Sequence, residues 1–156
     1  MDGAIRNLEH GNCERLAQAI ADALGCDQFR IVEKDPYPAD YRACIDRARA
    51  DKNTDARPEL ETLAPDMAAY DTMVLVYPNW WGTMPMPVFT FLESADTAGL
   101  AIAPLCSNEG SGMGSSERDL RTACPKADVR KGLSILGHET DENLERAVSW
   151  AQDICR

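Results

Sequence analysis

The sequence predicts an α/β fold in which a parallel β-sheet is covered by helices on both faces. Three observations lead to this fold class. Short apolar segments alternate along the chain with segments whose apolar residues recur at helical spacing. One segment, 72–77, is a continuous apolar run, as expected for a strand buried on both faces of a parallel sheet. The alternation continues without a repeat or a linker, so we expect one domain over residues 1–156.

Helices are predicted where apolar residues share one face and a stop signal follows. Residues 12–24 have this spacing and end at Gly25. Residues 141–154 form the predicted last helix, with Thr140 as its N-cap and acidic residues in its first turn. Three further helices are predicted at 40–50, 87–93 and 117–124.

Strands are predicted from alternating or continuous apolar residues. Residues 28–33 alternate apolar and polar side chains before the turn at 35–38. The run 72–77 ends at Pro78 and should form a central strand. Two more strands are predicted at 101–106 and 129–136.

Length and composition exclude several classes of protein. The chain has 156 residues, and no apolar run approaches the ~20 residues that span a bilayer. Its net charge of −10 argues against a nucleic-acid partner, because such proteins need clustered Lys and Arg. The same acidity would suit a basic protein partner, and solubility alone explains it equally well. The first residues do not resemble a secretory signal, so we expect a cytoplasmic protein without a membrane partner.

The six cysteines are scattered singly, without a CxxC pair or a Cys/His cluster at metal-ligand spacing. We therefore expect reduced, mostly buried thiols and no metal site. Cys13 is the one candidate for another role, because it lies beside a candidate ligand loop.

Ligands of open parallel sheets bind at the carboxyl ends of the strands, so the loops that leave the strands are the candidate sites. The loop at 8–13 precedes the first helix, where Gly11 and Asn12 could present backbone N–H groups to an anion. An ordinary Gly-Asn turn is the alternative. The loop at 107–116 is rich in glycine and serine, which permits close approach of its backbone to a ring edge. A flexible surface loop is the alternative there.

The most informative loop is 77–87, which places Trp80 and Trp81 side by side among proline and glycine residues. A loop cannot bury both indoles behind itself, so at least one should face a ligand, a partner or a neighbouring segment. The alternative is a loop that caps the core or forms a homodimer interface.

Three motifs resemble the flavodoxin-like family, and its bacterial short-chain flavodoxins in particular. They are DPYPADY at 35–41, PNWWGTMPMPVFTFLE at 78–93 and GSGMGSS at 110–116, and the middle motif is highly specific. The resemblance covers nearly all of the chain after Gly11. It implies a three-layer flavodoxin-like fold with a five-stranded parallel sheet of order 2-1-3-4-5 and FMN at the strand ends.

The resemblance also implies which residues would bind FMN. The isoalloxazine ring would lie between two groups of residues, one from each of the later loops. The first group is Pro78, Asn79, Trp80, Trp81, Gly82 and Thr83, and the second is Ser107, Asn108, Glu109, Gly110, Ser111 and Gly112. The phosphate would lie at His10, Gly11, Asn12 and Cys13. No catalytic acid or base is indicated.

The first residues depart from the family's pattern of an apolar strand followed by a hydroxyl-rich loop ending Thr-Gly-Asn-Thr. Arg6 and Asn7 stand where the strand should be apolar, so we expect a short or defective first strand. Leu8, His10 and Cys13 replace hydroxyl donors. Losing two or three hydrogen bonds, each worth roughly 0.5–1.5 kcal/mol, would weaken FMN binding by about ten- to a thousandfold.

Three hypotheses follow. The leading one is an FMN-binding electron-transfer protein or small oxidoreductase of low potential, acting with a redox partner protein or a small quinone-like acceptor. The sequence does not distinguish an electron carrier from an NAD(P)H- or quinone-linked reductase. The alternative is a degenerate flavodoxin fold that binds FMN weakly or not at all and serves as an interaction module. A third hypothesis is that the first strand lies upstream or comes from a partner chain.

Overall fold

The computed structural model describes residues 11–155, and its sheet contains four strands. They are β1 (Thr72–Pro78), β2 (Ala101–Asn108), β3 (Asp128–Val129) and β4 (Leu133–Leu136). β1 runs parallel to β2 along its whole length, from the Thr72–Ala101 pair to the Pro78–Ser107 pair. The other edge of β2 pairs in parallel with β3 near its start and with β4 near its end.

Within residues 11–155, five α-helices surround this sheet. They are α1 (Asn12–Leu24), α2 (Tyr41–Asn53), α3 (Met86–Ser94), α4 (Ser116–Ala123) and α5 (Leu144–Ile154). Short 3₁₀ turns occur at Met67–Ala69, Gly137–Glu139 and Asp141–Asn143. Within residues 11–155 no helix has both the length and the apolar character needed to cross a membrane.

The core has one layer on each face of the sheet, which confirms the predicted α/β architecture. On one face, α1 and α5 pack through Leu16, Ile20 and Ala147 against Leu105 and Ile135 of the strands. On the other face, α3 and α4 cover the strands with a larger cluster that includes Phe91, Leu92, Leu120, Tyr77 and Ile102. Every residue of β2 is buried and both of its edges pair with other strands, so β2 is an inner strand of the described sheet.

The predicted strand at 28–33 is wrong as a sheet strand. The segment is extended, but its one ladder contact is an isolated antiparallel bridge between Glu33 and Leu60. Two hydrogen bonds flank the bridge, from Lys34 N to Glu59 O at 2.8 Å and from Glu61 N to Val32 O at 2.9 Å. A strand needs a neighbour to pair with, and within residues 11–155 none lies beside this segment. The predicted first strand falls outside the described residues, so only the last part of the order 2-1-3-4-5 is seen.

Two further boundaries differ from the sequence prediction. The strand expected at 129–136 is interrupted at Arg130, Lys131 and Gly132 and becomes β3 and β4. The last helix begins at Leu144, because residues 141–143 form a 3₁₀ turn. Thr140 does not cap it: its Oγ1 donates to the carbonyl oxygen of Gly137 at 2.7 Å.

Fewer of the six cysteines are buried than the sequence predicts. Cys44, Cys106 and Cys124 are buried, Cys13 is half-buried, and the other two are exposed. Cys26 and Cys155 are exposed because each follows the end of a helix at the same end of the molecule.

Candidate functional site

A cavity of about 1280 Å³ runs along the outer edge of β1 and opens at the carboxyl ends of β1 and β2. At that end it is lined by Asn79 and Trp80 from the loop after β1, by Ser107 and Asn108 at the end of β2, and by Ser111 in the loop after β2. Because the strands are parallel, these two loops leave the sheet side by side. The upper end of the cavity is therefore a crevice between them, which we call the loop crevice.

The loop after β1 is a tight turn at residues 80–83. Trp80 N donates to Thr83 O at 2.9 Å and Thr83 N donates to Trp80 O at 3.3 Å. The two central residues have positive φ, +54° at Trp81 and +86° at Gly82, as in a type I′ turn. This backbone sends the two indoles in different directions.

Only Trp80 of the two indoles lines the cavity. Its ring is half-buried, and its Nε1 is buried without a hydrogen-bond partner in the described part of the chain. Trp81 is 42% exposed, and its Nε1 donates to the carbonyl oxygen of Ile45 in α2 at 3.3 Å. A buried donor without an acceptor is rare, which distinguishes the setting of Trp80 from that of Trp81.

Tyr37 supports Trp80 from the side, and the sequence did not identify it as a site residue. The Tyr37 ring meets the Trp80 indole edge to face at 4.9 Å between centroids. Its hydroxyl donates to Asp51 Oδ2 at 2.8 Å, and the Arg47 guanidinium lies 4.1 Å from its ring centroid. Burial raises the pKa of Tyr37, and the hydrogen bond to Asp51 raises it further, so this phenol stays neutral. The only signal for Tyr37 was the DPYPADY motif.

The two loops of the crevice are bonded to each other. Ser115 donates twice to the carbonyl oxygen of Gly82, from its backbone N at 2.7 Å and from its Oγ at 3.1 Å. Asn79 Nδ2 donates to the carbonyl oxygen of Gly112 at 2.9 Å. Gly114, at φ +56°, lies so close that a Cβ there would stand 2.3 Å from Gly82 O. The contact between the loops therefore requires glycine at position 114.

Asn108 organises the loop after β2. Its Oδ1 accepts hydrogen bonds from the backbone N of Gly110 at 2.9 Å and of Gly112 at 3.0 Å, and its Nδ2 donates to Ser134 Oγ at 2.6 Å. Gly110 and Gly112 both have positive φ and open space beside their Cα atoms. The backbone of this loop is thus held in place with two sides on which another group could approach closely.

Glu109 lies at the rim of the cavity and is paired with His138. The distance from His138 Nδ1 to Glu109 Oε2 is 2.8 Å. This hydrogen bond raises the pKa of His138, with a smaller contribution from the negative charge of Glu109. When His138 is protonated it neutralises a carboxylate that borders the crevice.

The start of α1 borders the same cavity through Gly11, Asn12 and Cys13. Gly11 is the N-cap of the helix, and Arg15 Nη2 donates to Asn12 Oδ1 at 2.5 Å. Arg15 also forms an ion pair with Asp141. A helix N-terminus attracts anions, but in its first turn the acidic Glu14 lines the cavity and Arg15 does not. His10 lies outside the described residues.

The structure brings most of the candidate residues together around one cavity. Those that line it are Gly11, Asn12, Cys13, Pro78, Asn79, Trp80, Ser107, Asn108, Glu109 and Ser111. Five others shape the loops without lining the cavity: Trp81, Gly82, Thr83, Gly110 and Gly112. Thr83, for example, is buried and donates from Oγ1 to Asp119 Oδ2 at 2.6 Å. Contact of any of these residues with a cofactor stays a prediction.

Comparison with known proteins gives consistent matches. The family model described as Flavodoxin matches residues 8–153. The chain is 27% identical to a candidate flavoprotein from Bacteroides uniformis, with a TM-score of 0.76 over 88% of each chain. It is 23% identical to a candidate flavoprotein from Bacteroides eggerthii, with a TM-score of 0.79 over 94% of this chain and 92% of that one.

A third solved structure is a flavoprotein in complex with FMN from Lactobacillus acidophilus. It is 19% identical, with a TM-score of 0.54 over 71% of this chain and 74% of that one. At this identity the likeness, as for the Bacteroides eggerthii protein, is one of fold. A search of curated proteins gave no match.

Proposed function

The chain belongs to the flavodoxin family, and from this premise we propose that it binds FMN and exchanges electrons with a redox partner protein or a small quinone-like acceptor. The observation that carries the proposal is the loop crevice. It lies at the carboxyl ends of parallel strands, and one indole and the residues Ser107, Asn108 and Ser111 border it.

The residues of the loop crevice fit a flat heteroaromatic ring. The loop crevice is one end of the cavity of about 1280 Å³ that the described residues line, and the loops after β1 and β2 border it on two sides. Trp80, Ser107, Asn108 and Ser111 line this end of the cavity and would contact such a ring. Trp80 itself offers a stacking or edge surface that Tyr37 holds in place.

The start of α1 fits a phosphate group. Gly11, Asn12 and Cys13 border the same cavity as the loop crevice, and the helix dipole favours an anion at this point. The absence of Ser or Thr hydroxyls at 8–13 argues for weaker phosphate binding than a hydroxyl-rich loop would give. We therefore expect FMN to bind mainly through its ring.

FMN, when bound, supplies one- and two-electron transfer, and the chain tunes that chemistry by its charge and packing. Glu109 and the overall charge of −10 disfavour additional negative charge in the crevice. A preference of 1.4 kcal/mol between two redox states corresponds to about 59 mV for one electron. The proposal therefore includes a reduction potential below that of free flavin.

The Lactobacillus acidophilus flavoprotein was solved in complex with FMN, and this chain shares its fold. That likeness supports the choice of FMN among flat redox cofactors. The structure of this chain supports FMN because the loop crevice, with its indole, and the N-terminus of α1 border the same cavity.

Titration of the purified chain with FMN tests the proposal. Binding should change the flavin absorbance and quench tryptophan emission, because Trp80 borders the ring site. The proposal predicts saturation with a Kd in the micromolar range or below. Absence of any spectral change at hundreds of micromolar FMN would refute it and favour an interaction module without flavin.

Steady-state oxidation of NAD(P)H by the FMN-loaded protein separates the two redox functions. Turnover with a quinone as acceptor identifies a reductase. Loading with FMN without turnover, but with reversible reduction by dithionite, identifies an electron carrier.

A further inference from the structure

One side of α2 carries three exposed cationic residues. Four residues of the helix recur three or four positions apart and therefore share this side: Arg42, Ile45, Arg49 and Lys52. Ile45 is half-buried, and the three cationic residues are exposed. These three residues and the exposed Trp81 form a surface that we call the basic face.

Trp81 joins the basic face to the turn at the loop crevice. Its Nε1 donates to Ile45 O at 3.3 Å, and Lys52 Nζ donates to Trp81 O at 2.5 Å. The Arg49 guanidinium lies 5.5 Å from the centroid of the Trp81 ring. Because Trp81 directly follows Trp80, which borders the crevice, the basic face begins next to the crevice.

The charge of α2 is opposite in sign to that of the whole chain. The helix has four cationic and two acidic residues, a formal net charge of +2, whereas the chain has −10. Asp51 lies on the opposite side of the helix and pairs with Arg47. Asp46 adjoins the basic face, but in the described part of the chain it forms no ion pair with Arg42 or Arg49. The basic face therefore keeps charge with which carboxylates of another molecule can pair.

The residue types of the basic face are those of a protein interface. Tryptophan and arginine are enriched among the residues that contribute most to protein–protein binding. Trp81 is one of three large apolar side chains that are exposed within residues 11–155. It stands with Arg42 and Arg49 on an exposed helix face, and none of the three lines the cavity. Small-molecule sites are concave, so this arrangement favours a protein over a small anion.

The two sides of the loop crevice differ in charge. On the β2 side, Glu109 and Glu139 flank His138 at 2.8 and 3.8 Å, so this side stays negative even when His138 is protonated. On the β1 side lies the basic face. Exposed charges more than about 8 Å apart are largely screened at physiological salt, so the charges near the contact decide how an acidic protein binds. Its carboxylates would lie over α2, close to the crevice.

We infer that the basic face binds an acidic redox protein beside the loop crevice. Asp or Glu carboxylates around the partner's electron-transfer site pair with Arg42, Arg49 and Lys52, and Trp81 packs within the contact. The basic face is about 15 Å long at 1.5 Å per residue, which suits the small interfaces of transient electron-transfer complexes. The inference rests on the proposed function, because it gives the chemistry of the partner of the same crevice.

The test is an NMR titration of the whole chain, with and without FMN, with an acidic two-iron ferredoxin as the probe. The iron of this probe is paramagnetic, so signals close to it broaden. The indole N–H signal of Trp81 and the amide signals of Arg42 and Arg49 should broaden first, and the amide signal of Lys126 should not. Lys126 lies at the other end of the sheet, where its carbonyl oxygen accepts from Gly99 N at 2.9 Å just before β2.

Two double variants with the same change in net charge separate the basic face from the charge of the whole chain. Arg42→Gln with Arg49→Gln should raise the Kd for the ferredoxin about two- to thirtyfold, the effect of losing two exposed ion pairs. Arg121→Gln with Lys126→Gln changes two exposed cationic residues at and beyond the end of α4. This control should change the Kd by less than a factor of about 1.5, because screening limits charges that lie far from the contact.

Four results would overturn the inference. The first two are no broadening at Trp81 with millimolar ferredoxin and equal rises in Kd for the two double variants. The third is a shift of the same signals by NADPH but not by ferredoxin, which would identify a phosphorylated small molecule as the occupant. The fourth is broadening that depends on the concentration of the chain alone, which would identify a second copy. Titration of the same samples with FMN reports flavin binding separately, so failure of the inference and failure of the proposed function are distinguishable.

Discussion

Replacing Gly114 by alanine tests whether the two loops of the crevice are locked together as the structure shows. The new Cβ would lie 2.3 Å from Gly82 O and 2.8 Å from Gly82 C, so the backbone of the 80–83 turn would have to move. That movement would break the two hydrogen bonds that Ser115 donates to Gly82 O. The loop crevice would widen at the point where Trp80 borders it.

The expected loss of stability has two parts. A non-glycine residue in the left-handed region costs about 1–2 kcal/mol, and Gly114 has φ +56°. Two hydrogen bonds at roughly 0.5–1.5 kcal/mol each add about 1–3 kcal/mol. Gly114→Ala should therefore lower the free energy of unfolding by about 2–5 kcal/mol.

Gly112→Ala is the matched control. Gly112 has φ +65°, close to that of Gly114, but nothing lies within 4 Å of the position of its Cβ. This variant should lose only the conformational part, about 1–2 kcal/mol. Urea unfolding without FMN, followed by tryptophan emission, measures both losses. Losses that agree within about 0.5 kcal/mol would show that the contact between Gly114 and Gly82 does not hold the loops together.

Three other predictions concern the cofactor, a charge pair and a thiol. Trp80→Leu should weaken FMN binding about two- to thirteenfold, because losing an aromatic pair costs about 0.5–1.5 kcal/mol. Trp81→Leu should change FMN binding less than twofold. Equal losses for the two variants in FMN titrations would contradict the assignment of Trp80 to the crevice. NMR titration should place the pKa of His138 above 6.5, and Glu109→Gln should lower it. The folded state holds the proton of His138 more tightly than the unfolded state does. The stability that the Glu109–His138 pair contributes is therefore complete below pH of about 6.5 and is lost as pH rises through the pKa of His138 in the folded state. His138→Gln should abolish this pH dependence. Burial raises the pKa of Cys106 to about 12, so iodoacetamide should label the exposed cysteines first and Cys106 only on unfolding. Early labelling of Cys106 in peptide mass spectra would refute its burial.

The parts of the fold that sequence predicts well are those set by local spacing. The helix at 12–24 was predicted with its observed bounds, because apolar residues on one face and the stop at Gly25 define it within one segment. The run at 72–77 similarly predicts β1. The segment 28–33 failed for a physical reason. Alternating side chains describe a strand with one face buried, but they do not say whether a neighbouring strand is present to pair with it.

The candidate site shows the same division. The sequence predicts that at least one of the twin indoles faces a ligand, a partner or a neighbouring segment, but which one faces the cavity depends on the positive φ of Trp81 and Gly82. The role of Tyr37 and the pair of Glu109 with His138 depend on contacts between distant segments. Such contacts leave no periodic trace in the sequence.

Crystals of the chain grown with FMN test the central claim most directly. The account predicts electron density for the isoalloxazine ring in the loop crevice, between Trp80 and residues 107–112, with the phosphate at the start of α1. A flavin ring bound elsewhere, for example on the exposed face of Trp81, would contradict it.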